Sequence, residues 1–289
     1  MKPAPFEYFQ PRSVDEALAL LAEHGGDAKP LAGGQSLIPA MNFRLATPSV
    51  LIDLNALDGL AYINDGDSLR LGGMTRQRAV ERSAVVAKKA PLVAETMPFI
   101  AHAAIRTRGT VGGSLAHADP AAELPAVMLA LNARLTVQSR TGSRSIPVDD
   151  FFVGLFATAL QPGELLTAIE IPHAAPRTGF AFQEVSRRHG DFALVGAAVT
   201  VTLDTNGRCA DARIALLSVG DRPMLASHAA AVLKGQTPST GVIAAAAQAA
   251  AHQDIDPPGD IHASAKYRRQ LANVLTRRVL TRAFQRATV

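Results

Sequence analysis

The pattern of apolar and polar positions predicts helices and short strands in mixed order along the first part of the chain. In SVDEALALLAEHGG, apolar residues recur at intervals of three and four, as on one face of a helix. A serine and a glutamate three residues apart form a capping box at its start, and two glycines end it. The runs KPLA, SVLIDL and SLRLGG predict strands. The last of them leads into a helix expected from about Thr75 to Lys89.

The mixed pattern continues through the middle of the chain. Pro91 and Pro98 interrupt the stretch PLVAETMPFIAH, because proline removes a helical hydrogen bond. PAAELPAVMLAL predicts a helix with Pro120 in its first turn, where proline is well tolerated. RLTVQS and ELLTAIEIP predict two further strands.

The pattern of apolar and polar residues changes near Gly179. The runs FAFQEVSRR, ALVGAAVTVTLD and CADARIALLSVG predict a small sheet, and the Asn-Gly pair of TNGR is typical of a tight hairpin. The polar stretch HAAPRTG before them predicts a boundary between a domain of residues 1–175 and one of residues 176–289. Helices follow, and the last begins near Ser264. Its expected apolar face consists of Tyr267, Leu271, Val274 and Leu275.

Composition and charge narrow the class of protein. The chain has 289 residues, of which 48% are hydrophobic and 19% charged, so a large buried core is expected and disorder is not. The formal net charge is only +4. The basic stretch KYRRQLANVLTRRVLTRAFQR is better explained as the solvated face of an amphipathic helix, or as a face toward a partner subunit, than as a nucleic-acid site. We expect no nucleic-acid partner.

Cysteine usage and hydropathy limit the possible chemistry. Cys209 is the one cysteine, so the chain cannot by itself form a disulfide or a cysteine-ligated iron–sulfur or zinc site. This usage indicates a reducing compartment. No apolar run reaches the length of a membrane-spanning helix, and the first residues have no apolar signal core. The sequence predicts a cytoplasmic protein without a membrane span.

Two glycine pairs lie between predicted elements. The first loop is AGGQSL, residues 32–37, and the second loop is TVGGS, residues 110–114. Glycine reaches positive φ and lets the backbone approach closely, so consecutive N–H groups can converge on an anion. Two such loops can hold the two phosphates of a pyrophosphate. Neither has the spacing of the G-x-G-x-x-G fingerprint or of a P-loop. From these residues alone, phosphate-binding loops and plain structural turns are equally good interpretations.

Charged residues near the second loop allow more than one role. Arg106 and Arg108 can neutralise a pyrophosphate or form surface ion pairs, and the sequence favours neither role. His117 and Asp119 are metal ligands by type, but two ligands are too few, so loop ordering is favoured and no metal is expected. No acid–base pair stands out, and no catalytic residue is assigned.

Taken together, AGGQSLIPAMNFRLATPSVLIDL and IRTRGTVGGSLAHADPAAELP resemble the FAD-binding medium subunit of molybdenum hydroxylases, the group of carbon monoxide dehydrogenase and xanthine dehydrogenase. The resemblance continues through LGGMT, GELLTAIEIP and FQEVSRRHGDFALVG and covers nearly the whole chain. It implies an α+β fold. An FAD-binding domain of the vanillyl-alcohol-oxidase/PCMH type, with subdomains of about residues 1–57 and 58–175, precedes a C-terminal domain with a small antiparallel sheet and helices.

The resemblance also implies which residues bind FAD, without a covalent bond. The two loops would hold the pyrophosphate, and Glu123 would accept hydrogen bonds from ribityl or ribose hydroxyls. Leu166 would pack near the flavin, and Phe192 would lie beside the isoalloxazine, in a loop ordered by Asp191. The implied cofactor-binding residues are Ala32, Gly33, Gly34, Gln35, Ser36, Leu37, Thr110, Gly112, Gly113, Ser114, Glu123, Leu166, Gln183 and Phe192.

Two residues depart from the family pattern. Thr107 stands where the family commonly has Asn, which changes a local hydrogen bond. Gln183 stands where the xanthine-oxidising relatives carry a Lys, a cation that would stabilise an anionic reduced flavin. The electron acceptor therefore stays open among NAD⁺, O₂, a quinone and others.

The resemblance implies an electron-transfer subunit within a larger assembly. Iron–sulfur clusters of a small partner subunit would deliver electrons to FAD in this chain, after substrate oxidation in a large subunit with the molybdenum cofactor. The expected assembly is a dimer of heterotrimers, and the substrate stays open. Two alternatives are a self-contained FAD-dependent oxidoreductase and a non-enzymatic nucleotide-binding module.

Overall fold

The computed structural model describes residues 2–288, and its first part is a parallel sheet in the order β1–β3–β2. The side chain of Ser13 caps the first helix by accepting a hydrogen bond from the N–H of Glu16 at 3.1 Å, and Gly25, with φ +53°, ends it, as the pattern predicts. The central strand is buried at every residue. The elements of this part are β1 (Glu7–Phe9), α1 (Val14–His24), β2 (Ala28–Leu31), α2 (Leu37–Asn42) and β3 (Val50–Asp53).

The second part is a five-stranded antiparallel sheet with helices on one side. The strands run in the order β4–β5–β10–β6–β7, so the strand that enters last, β10, pairs in the middle of the sheet. The elements are β4 (Ile63–Asp65), β5 (Ser68–Gly72), α3 (Gln77–Arg82), α4 (Ala84–Lys89), α5 (Pro91–Thr96), α6 (Ala103–Arg108), α7 (Val111–His117), α8 (Glu123–Ala130), β6 (Arg134–Ser139), β7 (Gly142–Pro147), β8 (Phe152–Gly154), β9 (Ala157–Thr158) and β10 (Leu165–Pro172).

Two helix predictions in this part are wrong in detail. The helix expected from about Thr75 to Lys89 is two helices, because Ser83 is extended and its side chain accepts a hydrogen bond from the N–H of Val86 at 3.2 Å. An N-cap residue has an extended backbone, so a serine that caps the second helix also ends the first helix. Pro120 is not in the first turn of α8, which begins at Glu123; the proline lies in the preceding turn.

The third part is an antiparallel sheet in the order β11–β12–β13–β14, with three helices on one face. Asn206 and Gly207 turn the chain between β12 and β13, and Gly207 has φ +78°. The elements are β11 (Thr178–Ser186), β12 (Ala193–Leu203), β13 (Cys209–Leu217), β14 (Met224–Leu225), α9 (Ser227–Leu233), α10 (Thr240–His252) and α11 (Ala265–Ala287).

Both faces of this sheet are covered, which explains its continuous apolar runs. Ala181 and Val199 pack against α9–α11, whereas Phe182 and Ala198 belong to the core of the second part. Phe182 meets Phe99 edge to face, with ring centroids 5.2 Å apart.

The predicted apolar face of α11 is correct at Leu275, which is buried, and at Leu271, which packs against the core, but it is wrong at Tyr267. Tyr267 is 44% exposed, whereas Arg268, one residue on, is buried. The guanidinium of Arg268 donates to the carbonyl of Leu194 and to the carboxylate of Asp260, both at 2.5 Å. A buried charge is tolerated only when it is paired, and no apolar pattern predicts such a pairing.

The α+β fold, with a small antiparallel sheet and helices at the C-terminal end, is as expected. The division between residues 175 and 176, and that near residue 57, stay predictions. In residues 2–288, no helix combines the length and the apolar character needed to cross a membrane.

Close packing between α11 and β11 generates a test of the fold. A Cβ at Gly179 would lie 1.8 Å from the carbonyl oxygen of Ala283, and backbone cannot move aside as a flexible side chain can. We expect Gly179→Ala to lower the free energy of unfolding by roughly 1–3 kcal/mol, the usual cost of overpacking. Gly59→Ala, where a Cβ meets open space, is the matched control in chemical denaturation. Equal stability of the two variants would contradict this packing.

Candidate functional site

The first loop leaves β2 and enters α2 with its backbone donors unused. Gly34 has φ +71°, a left-handed conformation that favours glycine. Within residues 2–288, the N–H groups of Gly33, Gly34, Gln35 and Ser36 donate to no other protein atom. The side chain of Gln35 folds back onto the carbonyl of Gly33 at 3.1 Å. Successive free N–H groups of this kind suit an anion.

The second loop is built differently, and the expectation of a second turn with positive φ is wrong. Thr110 caps α7, and Gly112 and Gly113 lie inside that helix with ordinary φ. Their N–H groups are already used, by the carbonyl of Gly73 at 2.9 Å and by the Thr110 hydroxyl at 3.0 Å. A Cβ on Gly112 would lie 2.5 Å from that same carbonyl. The glycines of this loop therefore permit close approach rather than supply donors.

The structure brings the two loops into direct contact. A Cβ on Gly33 would lie 2.4 Å from the carbonyl oxygen of Arg108 and 2.8 Å from the Cα of Gly109, the residues that lead into the second loop. A Cβ on Gly113 would lie 3.5 Å from the Cβ of Ala32. The N–H groups of the first loop therefore lie beside Thr110 and the start of α7.

Two polar residues that the sequence did not single out span both loops. Arg76 donates to the carbonyl of Arg108 and to the side-chain oxygen of Asn55, each at 2.5 Å. Asn55 donates to the carbonyl of Ala32 at 3.0 Å. Asn55 follows β3, and Arg76 follows β5, so no local pattern relates the two residues.

Of the two arginines that sequence reasoning weighed, one is structural. Arg106 is buried, donates to both carboxylate oxygens of Glu81 at 2.9 Å, and donates to the carbonyl of Ile100 at 2.7 Å. The bonds from Arg106 lower the pKa of Glu81 to about 2. Arg106 is therefore neither a pyrophosphate ligand nor part of a surface ion pair. The Arg108 side chain is exposed beside the loops.

Glu123 begins α8, is buried, and lies close to a second buried carboxyl, Glu184 of β11. Burial raises the pKa of Glu123 to about 7, Asp119 adds to this effect, and Arg106 opposes it. Burial and then the charge of Glu123 raise the pKa of Glu184 to about 8. Within residues 2–288, the Oε2 atom of Glu184 is buried without a hydrogen-bond partner. The pair therefore holds at least one proton near neutral pH.

Leu166 and Gln183 have different positions relative to the loops. Leu166 is buried, and its carbonyl oxygen lies 2.4 Å from where a Cβ of Gly73 would be. Gly73 in turn contacts Gly112 of the second loop. Neighbouring side chains on a strand point to opposite faces of the sheet, so Gln183 and Glu184 of β11 lie on different faces. Gln183 lies on the same face as Ala181, which packs on the C-terminal helices. Its assignment to the FAD site stays a prediction that this geometry does not support.

Phe192 is 67% exposed at the tip of a loop before β12. Asp191 orders this loop, as expected: it accepts a hydrogen bond from the N–H of Phe192 at 3.1 Å and pairs with Arg187 at 2.9 Å. Gly190 lies against His102, because a Cβ there would be 2.6 Å from the imidazole. The loop therefore approaches α6, which leads into the second loop. Thr107 bonds back to the carbonyl of Ala103 at 2.9 Å within that helix.

The remaining candidates have structural roles. Asp119 accepts a hydrogen bond from the N–H of Ala121 at 2.9 Å, and the His117 ring lies 5.1 Å from that of Phe156. Among residues 2–288, no three potential metal ligands come together. Cys209 is buried, and burial raises the pKa of its thiol to about 11, so it is not a thiolate at neutral pH.

Free donors on the first loop, close approach at the second loop, and the exposed Arg108 beside them fit a bound pyrophosphate. The class of protein that this fold and site define is an FAD-binding oxidoreductase subunit. Residues 4–174 match the model of the FAD binding domain in molybdopterin dehydrogenase, and residues 180–283 match the CO dehydrogenase flavoprotein C-terminal domain. The chain belongs to this family of molybdenum hydroxylase flavin subunits, as the resemblance implied.

Full-length relatives agree with this assignment. The chain is 46% identical to the 6-hydroxypseudooxynicotine dehydrogenase complex subunit alpha of Paenarthrobacter nicotinovorans, over 99% of this chain and 97% of the relative. It is 40% identical to the carbon monoxide dehydrogenase medium chain of Afipia carboxidovorans, over 99% of each. The solved carbon monoxide dehydrogenase of Hydrogenophaga pseudoflava that lacks the Mo-pyranopterin moiety aligns with a TM-score of 0.96 at 38% identity, over 99% of each chain.

The buried carboxyl pair makes stability depend on pH. In the unfolded chain a glutamate loses its proton near pH 4.5, whereas folded Glu184 keeps it until about pH 8. The folded state therefore binds more protons across this window, and the free energy of unfolding falls as pH rises through it. We expect Glu184→Gln to flatten this decline in denaturant titrations of the flavin-free chain from pH 5 to 9.

The matched control for this change is Glu23→Gln, an exposed carboxyl on α1. It should reproduce the pH profile of the unmodified chain. A Glu184→Gln profile that also matches the unmodified one would show that Glu184 is not held protonated in the folded state.

Proposed function

We propose that this chain holds one FAD without a covalent bond and carries electrons between a partner subunit and an external acceptor. The observation that carries the proposal is the set of free N–H groups at Gly33–Ser36, pressed against the second loop by the contact between Gly33 and Arg108. A dianionic pyrophosphate satisfies these donors. Bound FAD supplies the chemistry: it exchanges electrons one or two at a time.

The residues of the chain divide the work of binding. The first loop would donate its backbone N–H groups and the Ser36 hydroxyl to one phosphate. The second loop would donate the Thr110 N–H and the Ser114 hydroxyl to the other phosphate. Glu123, with its pKa raised by burial to about 7, is able both to accept from and to donate to sugar hydroxyls near neutral pH. Phe192, which is exposed, would cover one edge of the ring system.

The partners follow from the names of the relatives and from the chemistry of this chain. Those relatives are named as one subunit of a complex and as a medium chain. One cysteine cannot ligate an iron–sulfur cluster, so the clusters that would deliver electrons to FAD belong to another subunit. We propose a small iron–sulfur subunit and a large molybdenum-cofactor subunit, assembled as a dimer of heterotrimers in the cytoplasm.

Substrate choice lies outside this subunit. Relatives 40–46% identical to it belong to dehydrogenases named for 6-hydroxypseudooxynicotine and for carbon monoxide, which share no recognisable chemical group that one pocket would select. The same flavin subunit architecture therefore serves unlike substrates.

The first test concerns the first loop. Gly34→Val places a β-branched residue at φ +71°, with its Cβ 3.1 Å from Ile38, and a left-handed conformation costs roughly 1–2 kcal/mol. We expect the purified variant to lose its flavin. Gly25→Val is the matched control, because Gly25 also has positive φ but faces open space; it should keep flavin.

Acid precipitation of the unmodified protein should release FAD, about one per chain, into the supernatant. Flavin retained in the pellet would contradict non-covalent binding, and FMN in place of FAD would contradict a pyrophosphate site. Flavin at full occupancy in Gly34→Val would leave the first loop with a structural role only.

The second test concerns the assembly. Expressed with the genes that flank its own, the chain should purify with a cysteine-rich small subunit and a large subunit. Under anaerobic conditions, substrate should bleach the flavin absorbance of the complex but not that of the isolated chain. Rapid bleaching in the isolated chain would instead establish a self-contained oxidoreductase.

A further inference from the structure

Arg76 occupies the point where the two loops are joined by side-chain hydrogen bonds. Arg76 precedes α3 and lies opposite Thr110 in an isolated antiparallel bridge. Two backbone hydrogen bonds flank this bridge. The N–H of Gln77 donates to the carbonyl of Gly109 at 2.9 Å, and the N–H of Val111 donates to the carbonyl of Thr75 at 3.0 Å. The backbone of Arg76 is therefore tied to the second loop before its side chain makes any contact.

The side chain of Arg76 then divides its donors between two partners. One terminal nitrogen donates to the carbonyl of Arg108 and the other to the side-chain oxygen of Asn55, both at 2.5 Å. The carbonyl of Arg108 is the atom that Gly33 approaches most closely. A planar guanidinium presents its donors in a fixed fork, so holding one partner sets the position of the other.

Asn55 extends this connection to the first loop. Its amide nitrogen donates to the carbonyl of Ala32 at 3.0 Å, and its oxygen accepts from Arg76. The amide itself is oriented by Asp53, which is buried, accepts from the backbone N–H of Asn55 at 2.9 Å, and also bonds to the Tyr8 hydroxyl and the Asn55 amide. One amide thus ties the start of the first loop to Arg76.

Charge alone does not explain this arrangement. Burial, and then the neighbouring charge of Arg108, lower the pKa of Arg76, while Asp53 opposes this effect. Arg76 is half-buried, and both of its terminal nitrogens already donate to protein oxygens. Its bonds go to backbone and amide oxygens, which fix geometry.

We propose that Arg76 and Asn55 are positioning residues for FAD: together they hold the first and second loops at the separation that a pyrophosphate requires. The inference rests on the proposed function, because it assumes that the loops bind FAD. Neither residue needs to touch the cofactor. Loss of either one leaves the loops in place on their strands but free to move relative to each other.

The test measures the FAD dissociation constant of the full-length, flavin-stripped chain for Arg76→Ala, Asn55→Ala, the double variant and Arg76→Lys. Each single alanine variant should weaken FAD binding roughly ten- to hundredfold, the effect of losing bonds to a charged or oriented group. The double variant should weaken FAD binding by much less than the product of the two single effects, because both residues act through one connection. Arg76→Lys keeps the charge without the fork and should bind FAD within about threefold of Arg76→Ala.

Arg82→Ala is the matched control: it removes an exposed arginine from α3 and should leave FAD affinity unchanged. Denaturant unfolding of each flavin-free variant reports whether the fold is intact. If Arg76→Ala does not fold, the FAD dissociation constants of Arg76→Lys and Asn55→Ala still test the proposal. If Arg76→Lys binds FAD as tightly as the unmodified chain, the charge of Arg76 matters and the positioning role is overturned. If the double variant weakens FAD binding by the full product of the two single effects, the residues make independent contacts and the positioning role is likewise overturned. Failure of the unmodified chain to bind FAD would instead overturn the proposed function.

Discussion

The arrangement of the site depends on one close contact, that of Gly33 with the carbonyl oxygen of Arg108. A Cβ at that position would lie 2.4 Å from this oxygen, so any side chain would force the two loops apart. The contact joins the parallel sheet of the first part to the helices of the second. It brings two separate glycine segments together, with the free donors on one side and a helix start on the other, where we propose that an anion binds.

The two glycine pairs look alike in sequence but answer different physical needs. Gly34 is required for its left-handed backbone, which exposes consecutive N–H groups. Gly112 is required because a Cβ would lie 2.5 Å from the carbonyl of Gly73, although its backbone is helical. The first loop therefore offers backbone donors, whereas the glycines of the second loop permit close approach, and we propose that a cofactor binds between them.

The C-terminal sheet completes the site by burying carboxyls rather than by adding donors. Its face toward the second part carries Phe182 and Glu184, and the sheet thereby seals Glu123 from solvent. Removing carboxylates from water favours their protonated forms, and for Glu123 this effect exceeds the opposing charge of Arg106. The C-terminal domain thus affects the protonation of a proposed FAD-binding residue, although it contributes neither of the glycine loops.

The sequence by itself determined the element types, the two glycine loops and, through its motifs, the family. Apolar periodicity, capping residues and glycine pairs are local features, because each depends only on residues a few positions apart in the chain. Even the caps of α1 and α11 could be read from Ser13 and Ser264. Only the tertiary structure decided the burial of Arg268, the pairing of Arg106 with Glu81, and the connection from Arg76 through Asn55 to the first loop. Each of these depends on a partner far away in the chain, and a polar residue shows no local sign of whether a distant partner will make its burial favourable.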